Sequence, residues 1–164
     1  MNPRKSTIVL FTNERNILEL TLPSLDGEQI PIAKEVKYLG VILDNKLPWK
    51  QHVTEKCQKA IALLWQCRRI VSSKWGISPK AMRWLYTSVI RPMLTYASSI
   101  WWPRTHIGSA VTELNHVQRL ACLAITGTVR TTPTSALEVM LDLLPLDLFI
   151  KKEAKMTTLP LNHW

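Results

Sequence analysis

The sequence predicts an α+β fold, with a small antiparallel β-sheet at the N-terminus followed by a mostly α-helical bundle. Short runs rich in β-branched and other apolar residues dominate residues 8–44. After Pro48, apolar residues recur at intervals of three and four, which is typical of amphipathic helices. The two patterns do not alternate along the chain, so we expect strands and helices to be segregated rather than joined as β–α–β units.

Four segments near the N-terminus have the character of strands. Pro23 ends the second of them, and Asp26 with Gly27 is a turn signal that allows the chain to return. Gly40 lies inside the fourth, where a glycine often marks a bulge or a close approach of another backbone. The predicted strands are residues 8–11, 17–22, 29–32 and 36–43.

Helical spacing governs the rest of the chain. Ser78 and Pro79 form an N-cap and a first helical position, so a second helix starts there. Its apolar face continues to Ala97, and Pro92 should kink it. Gly127 is placed to stop a later helix. The predicted helices are residues 49–71, the kinked helix from 79 to about 101, residues 109–126, residues 133–143, and one from Pro145 that Pro160 would end.

Composition places the chain among intracellular globular proteins. It has 164 residues, of which 46% are hydrophobic, which is enough for one core of ordinary size. No run of 18 apolar residues is present, and the N-terminal apolar segment is too short for a signal peptide. The three cysteines are widely spaced, which favours free thiols in a reducing compartment. We therefore expect a nuclear or cytoplasmic protein that is not secreted.

The positive charge is concentrated in the middle of the chain. The formal net charge is +9, and residues 46–104 hold eleven basic residues against one acidic residue, Glu55. The segments on either side are close to neutral. A block of this kind attracts polyanions, and nucleic acid is the commonest polyanionic partner. The alternative is a solvated basic face that has no partner.

Residue patterns for autonomous catalysis are weak. The five glycines are scattered, so no phosphate-binding loop is present. Two-metal phosphoryl transfer needs closely placed carboxylates, but Asp44, Asp142 and Asp147 are isolated from one another. His116 and Cys122 do not have the spacing of zinc ligands. We therefore expect no cofactor or metal in this chain.

Basic residues interleaved with aromatic residues are the remaining functional signal. Aromatic rings can stack on bases while lysine and arginine hold phosphates, although most of these rings should belong to the core. The exposed basic stripes of the first two helices are the better candidates. They comprise Lys56, Lys59, Arg68 and Arg69 on the first helix and Lys80, Arg83 and Arg91 on the second.

Short motifs follow one another in a fixed order along the chain, from NPRKS at residues 2–6 and EVKYLGVILD at residues 35–44 to Gln118-Arg119. This ordered series resembles the C-terminal palm, primer grip and thumb of reverse transcriptases from non-LTR retrotransposons, which are LINE-like elements of the insect jockey type. Residues 2–6, Asn-Pro-Arg-Lys-Ser, with the apolar run that follows, resemble motif D at the end of the palm. Residues 35–44, EVKYLGVILD, resemble the primer-grip hairpin, motif E. Further thumb-like motifs include Trp75-Gly76, Trp101-Trp102-Pro103 and Gln118-Arg119.

The resemblance implies domains and roles. Residues 1–47 would be the palm tail and primer-grip hairpins, residues 48–156 a helical thumb and post-thumb region, and residues 157–164 a divergent tail. Lys5 would match the motif D lysine, a general acid for the leaving pyrophosphate in a complete polymerase. Tyr38, Leu39 and Gly40 would match the primer-grip turn. The seven basic residues named above would hold an RNA–DNA or DNA template–primer through its backbone.

The departures from the family pattern are equally informative. The family's catalytic aspartates, which bind Mg²⁺ in the parent polymerase, lie in motifs upstream of Asn2 and are absent from these residues. We therefore expect a catalytically inactive fragment of an RNA-directed DNA polymerase, which could also contact the missing polymerase portion. Two alternatives stay open. One is a small basic helical protein-interaction domain, and the other is an RNA-binding domain derived from a retroelement.

Overall fold

The computed structural model describes residues 6–12, 23–25, 27–70 and 77–158, without the side chains of Leu25 and of residues 68–70. It confirms the α+β class, because short strands precede a helical bundle. The chain divides into two compact units, Met1–His52 and Val53–Trp164. No helix in the described ranges is long and apolar enough to cross a membrane.

The strands of the first unit form three separate pairs rather than one antiparallel sheet. β1 (Ile8–Val9) pairs in parallel with β4 (Ile32–Ala33). β2 (Ser24–Leu25) and β3 (Glu28–Gln29) form an antiparallel pair. Pro31 divides the predicted strand 29–32, because proline has no N–H to donate to a ladder. Its carbonyl instead accepts a 3.1 Å hydrogen bond from the Ile8 N–H. The predicted strand 17–22 lies outside the described residues.

The predicted strand 36–43 is a hairpin. β5 (Glu35–Tyr38) pairs antiparallel with β6 (Val41–Asp44), so Tyr38 lies opposite Val41. The two residues between them, Leu39 and Gly40, have φ angles of 46° and 79°. Two consecutive positive φ angles are required by the type I′ turn, which matches the twist of two-residue hairpins. Gly40 therefore serves the turn rather than a bulge inside one strand.

The first predicted helix is present as α1 (Lys50–Ile70). Val53, Cys57, Ala60 and Leu64 are buried at the spacing of one helical face. Burial raises the pKa of the Cys57 thiol to about 12, and Glu113 adds to this shift. The helix therefore contributes an apolar stripe to the second unit and leaves its lysines on its other faces.

The second predicted helix is divided into several segments. α2 (Pro79–Leu85) starts at Ser78, whose Oγ accepts a 3.2 Å hydrogen bond from the Ala81 N–H. A π-helical turn (Tyr86–Ile90) follows, in which the Arg91 N–H reaches back five residues to the Tyr86 carbonyl. Then come α3 (Arg91–Thr95), α4 (Ser98–Trp101) and a 3₁₀ segment (Trp102–His106).

Two local causes explain this division. Pro92 has no N–H and its ring crowds the preceding turn, so a regular α-helix cannot run through it. The wider π-helical turn lies directly before it. Ala97 has a φ angle of 56°, and this left-handed conformation interrupts the chain between α3 and α4. The expectation of a single helix with one kink is therefore wrong.

The remaining helices complete the core of the second unit. α5 (Gly108–Thr126) ends at Gly127, whose φ angle of 67° is the left-handed cap that the sequence predicts. α6 (Thr134–Met140) is shorter than predicted, and α7 (Leu146–Thr158) begins just after Pro145. α5 packs against α2, α6 and α7, and α7 also packs against α4.

A polar network crosses this core. Gln118 of α5 is completely buried, and its Oε1 accepts a 3.0 Å hydrogen bond from the Tyr86 hydroxyl. Its Nε2 donates to Glu138 Oε1 at 2.6 Å and to the Leu144 carbonyl at 3.1 Å. Burial raises the pKa of Tyr86 well above its usual range, although Arg91 opposes that shift. The network therefore ties the π-helical turn to α5, α6 and the loop before α7.

Candidate nucleic-acid interface

The tip of the β5–β6 hairpin carries the residues expected to match a primer grip. Tyr38 is 64% exposed and Leu39 is 72% exposed, so both side chains project into solvent. Leucine is an unusual residue for a positive φ angle, which costs a residue with a Cβ about 1–2 kcal/mol. The turn therefore presents an apolar side chain at a position where the backbone conformation favours asparagine.

The base of the same hairpin is held by side chains near the start of α1. The buried His52 accepts a 3.2 Å hydrogen bond through Nδ1 from the Ile42 N–H. Gln51 Nε2 donates to Glu35 Oε1 at 2.9 Å. These bonds hold both strands of the hairpin within the first unit, and neither bond involves the tip of the hairpin.

α1 places two of the predicted lysines near other side chains. The Lys56 ammonium lies 5.0 Å from the centroid of the Tyr96 ring, which is a cation–π distance. Lys59 forms an ion pair with Glu55, four residues earlier on the helix. Both lysines remain near the surface, but a phosphate would compete with these partners. Arg68 and Arg69 lie in the last turn of α1, and their side chains are outside the described part of the structure.

α2 presents the clearest basic surface. Lys80 and Arg83 are exposed and three residues apart, which places them on one side of the helix. Neither has an acidic partner among the residues that the structure describes. The neighbouring Trp84 is 63% exposed. α2 therefore offers two available cations beside an indole ring.

Arg91 does not belong to this surface, and its expected exposure is wrong. The side chain is only 9% exposed, and its guanidinium carbon lies 3.6 Å from the centroid of the Phe149 ring of α7. Burial lowers the pKa of Arg91, while Tyr86 and Glu153 oppose that shift. The π-helical turn explains the error, since one extra residue in a helix of 3.6 residues per turn rotates everything after it by about 100°.

No group of three or more His, Cys, Asp or Glu side chains is placed to hold a metal ion among the described residues. Lys5, the expected motif D lysine, lies outside the described residues.

One arginine had no assigned role in the sequence. Arg119 of α5 donates through Nη1 to the Thr132 carbonyl at 3.0 Å and to the Thr134 hydroxyl at 2.7 Å. Its Nη2 donates to the Arg130 carbonyl. Arg119 thereby fixes the loop between α5 and α6. Helical spacing could not reveal this, because the acceptors are mostly backbone carbonyls.

Comparison with known proteins places the chain among retroelement polymerases. It is 31% identical over 122 residues to the Pol polyprotein of type-1 retrotransposable element R1 4 from Nasonia vitripennis. It is 27% identical over 144 residues to that of element R1 from Bradysia coprophila. It is 28% identical over 129 residues to a probable RNA-directed DNA polymerase from transposon X-element of Drosophila melanogaster.

The matches cover most of this chain but only part of each relative. They span 74%, 88% and 77% of the chain, and 31%, 14% and 14% of the respective relatives. No protein-family model and no solved structure matches. The similarity over most of the chain shows that it is a relative of the Pol polyproteins of R1-type non-LTR retrotransposons, corresponding to part of a LINE-like reverse transcriptase region.

Proposed function

We propose that this chain supplies the primer grip and the thumb of an RNA-directed DNA polymerase and holds the template–primer through its sugar–phosphate backbone. The observation that carries the proposal is the exposed pair Lys80 and Arg83 on α2, which has no acidic partner among the described residues. Cations of this kind release counterions when they neutralise phosphates, which favours binding without reading sequence.

The hairpin tip supports the same proposal by different chemistry. Tyr38 and Leu39 offer an aromatic ring and an apolar side chain at a tight turn, and Gly40 adds no side chain. Such a tip can pack against the sugar and base at the end of a primer. Because Leu39 occupies a costly backbone conformation while 72% exposed, a role in binding the primer accounts for it better than a role in folding.

In this proposal these residues hold the template–primer and take no part in catalysis. We place the catalytic carboxylates that bind Mg²⁺ in a polymerase outside this chain, and this is supported by the lack of any group of three or more metal-binding side chains among the described residues. We accordingly expect the 164-residue chain by itself to bind a template–primer without extending it.

The test is fluorescence anisotropy of the 164-residue chain with a labelled RNA–DNA primer–template between about 50 and 300 mM salt. The double variant Lys80→Gln/Arg83→Gln removes the two cations of α2. Its matched control is Lys152→Gln/Lys155→Gln, which removes the same charge from the exposed face of α7. Both variants lower the formal net charge of +9 equally.

The expected results differ between the two variants. The α2 variant should bind more weakly. The slope of log affinity against log salt is negative, and its magnitude should fall by about 2, roughly one for each phosphate contact that is lost. The α7 control should keep a slope close to that of the unmodified chain. Equal losses in both variants would mean that affinity follows net charge alone. Absence of binding at 50 mM salt by the folded chain would refute the proposal and favour a protein-interaction role.

A further inference from the structure

A groove of about 490 Å³ opens on the second unit, and the described residues that line it include none of the candidates for duplex binding. α1 contributes Ile61 and Trp65 to it, α5 contributes His116 and Arg119, and the loop after α5 contributes Arg130. Its volume is in the range of pockets that hold small ligands, roughly 300–1,000 Å³. None of the described residues that line it is acidic. It is therefore suited to an anionic ligand with an apolar part.

Trp65 forms the flat wall of this groove. The indole is 47% exposed, whereas Trp101 in the same unit is completely buried within the core. Ile61 lies one turn before Trp65 on α1 and continues the apolar wall. An exposed indole beside an open groove can stack on a planar ring, and bases of every kind have such a face.

The opposite side of the groove is polar and cationic. Arg119 is held in place by the 130–134 loop, and three of its five N–H donors are already used. The Arg130 side chain is exposed, and it has no acidic partner among the residues that the structure describes. Gly127, at the start of the same loop, lines the groove without adding a side chain to it. Two arginines and one indole therefore line the same groove.

We propose that this groove binds an unpaired nucleotide of a single strand, with its base stacked on Trp65 and its phosphate at Arg130. The proposal rests on the proposed function only in that both partners are nucleic acid. It concerns the unpaired part of the strand and a different set of described residues. A nucleotide fits because it combines a planar ring with an adjacent anion, as the groove combines an indole with adjacent cations.

The test compares three fluorescein-labelled probes by anisotropy with the full chain. They are an octamer of ribo-adenylate, an octamer with the same sugar–phosphate backbone but no bases, and the RNA–DNA duplex used above. Unlabelled adenosine 5′-monophosphate serves as a competitor. Stacking requires that the chain prefer the octamer with bases over the abasic octamer, because the two probes carry the same charge.

The variants isolate the indole and the arginine. Trp65→Ala should bind the ribo-adenylate octamer about 5- to 150-fold more weakly and should lose the preference over the abasic octamer. Trp65→Phe keeps an aromatic face and should keep most of that preference. The matched control is Phe11→Ala, which removes an aromatic ring of similar exposure, 55%, from the first unit and outside the groove. Arg130→Gln should lower the salt slope for the octamer by about 0.7, the value for one phosphate of a single strand.

Each outcome has a definite meaning. Equal affinity for the two octamers, or an unchanged preference in Trp65→Ala, would overturn the proposal. Adenosine 5′-monophosphate binding as tightly as the octamer would overturn the assignment to a strand. If Trp65→Ala does not fold, the proposal is still tested by the preference of the unmodified chain for the octamer with bases and by the retention of that preference in Trp65→Phe. If the chain does not bind the duplex but still prefers the octamer with bases, the proposed function is refuted and the proposal for the groove stands. If the chain binds the duplex but shows no preference between the octamers, only the proposal for the groove is refuted.

Discussion

Replacing Gln118 with leucine should destabilise the second unit strongly, because this side chain joins three segments of the core. It is completely buried and makes three hydrogen bonds, to the Tyr86 hydroxyl, the Glu138 carboxylate and the Leu144 carbonyl. Leucine has a similar length and can fill the space, but it can make none of these bonds. The change therefore tests the polar network without creating a large cavity.

The magnitude follows from what each partner loses. The Tyr86 hydroxyl is also fully buried, and stranding a buried donor costs about 1–3 kcal/mol. The acceptors on Glu138 and Leu144 lie on less buried residues and can be hydrated, so each of those bonds contributes about 0.5–1.5 kcal/mol. We expect the free energy of unfolding to fall by about 2–4 kcal/mol after allowance for the added apolar burial of leucine.

Urea unfolding followed by circular dichroism at 222 nm measures this change, since the second unit holds almost all of the helix. A double-mutant cycle with Tyr86→Phe separates the network from general disruption. With the hydroxyl already absent, Gln118→Leu strands no donor there and should cost at least about 1 kcal/mol less than it does in the unmodified chain.

Two results would refute this reasoning. A loss below about 0.5 kcal/mol for Gln118→Leu would mean that the three bonds add nothing over their hydrated alternatives. Strict additivity of the two substitutions would mean that Tyr86 and Gln118 are not energetically coupled, despite the 3.0 Å between their oxygen atoms.

Three other predictions concern the turn, the loop and the thiols. Leu39→Asn should raise the free energy of unfolding of the hairpin by about 1 kcal/mol, because asparagine tolerates a positive φ angle. The same change should weaken primer–template binding. Unchanged hydrogen exchange at the hairpin would contradict the expected stabilisation. Arg119→Gln should speed hydrogen exchange in the loop around Thr132, because it removes a charged donor from that loop's carbonyls. Burial raises the folded-state pKa of Cys57 to about 12 from an ordinary value of 9.0, so the unfolded chain loses its proton first, and stability should decline as pH rises from about 9 to 12. At pH 8, a thiol reagent should accordingly modify Cys67 well before Cys57, and equal rates would contradict this.

Local signals in the sequence predicted much of the architecture. Ser78 with Pro79 located the start of α2, and Gly127 located the end of α5, because each satisfies a backbone requirement of a helix terminus. The change from β-rich runs to helical spacing after Pro48 located the start of α1. These features are encoded within a few neighbouring residues, so no tertiary information was needed. The domain limits at residues 47 and 156 stay predictions.

Errors arose where distant residues or a shift of helical phase decide the outcome. Arg91 was assigned to an exposed stripe by assuming 3.6 residues per turn, but the π-helical turn before it rotates it towards Phe149. The parallel pairing of β1 with β4 joins segments more than twenty residues apart, which a periodicity argument does not address. The roles of the other candidate residues in binding nucleic acid stay predictions, since position alone does not test them.

The contact between Arg91 and Phe149 bears on how the chain acquires its structure as it is made. The arginine lies near the middle of the sequence, whereas the ring that covers it belongs to α7. Until α7 has left the ribosome, the guanidinium has no ring to cover it at the site that it finally occupies. α4 and α5 also lack their packing partner until α7 has emerged, so we expect the packing of these helices to be completed only then. Folding of the second unit would then be a late, concerted event rather than a stepwise addition of helices.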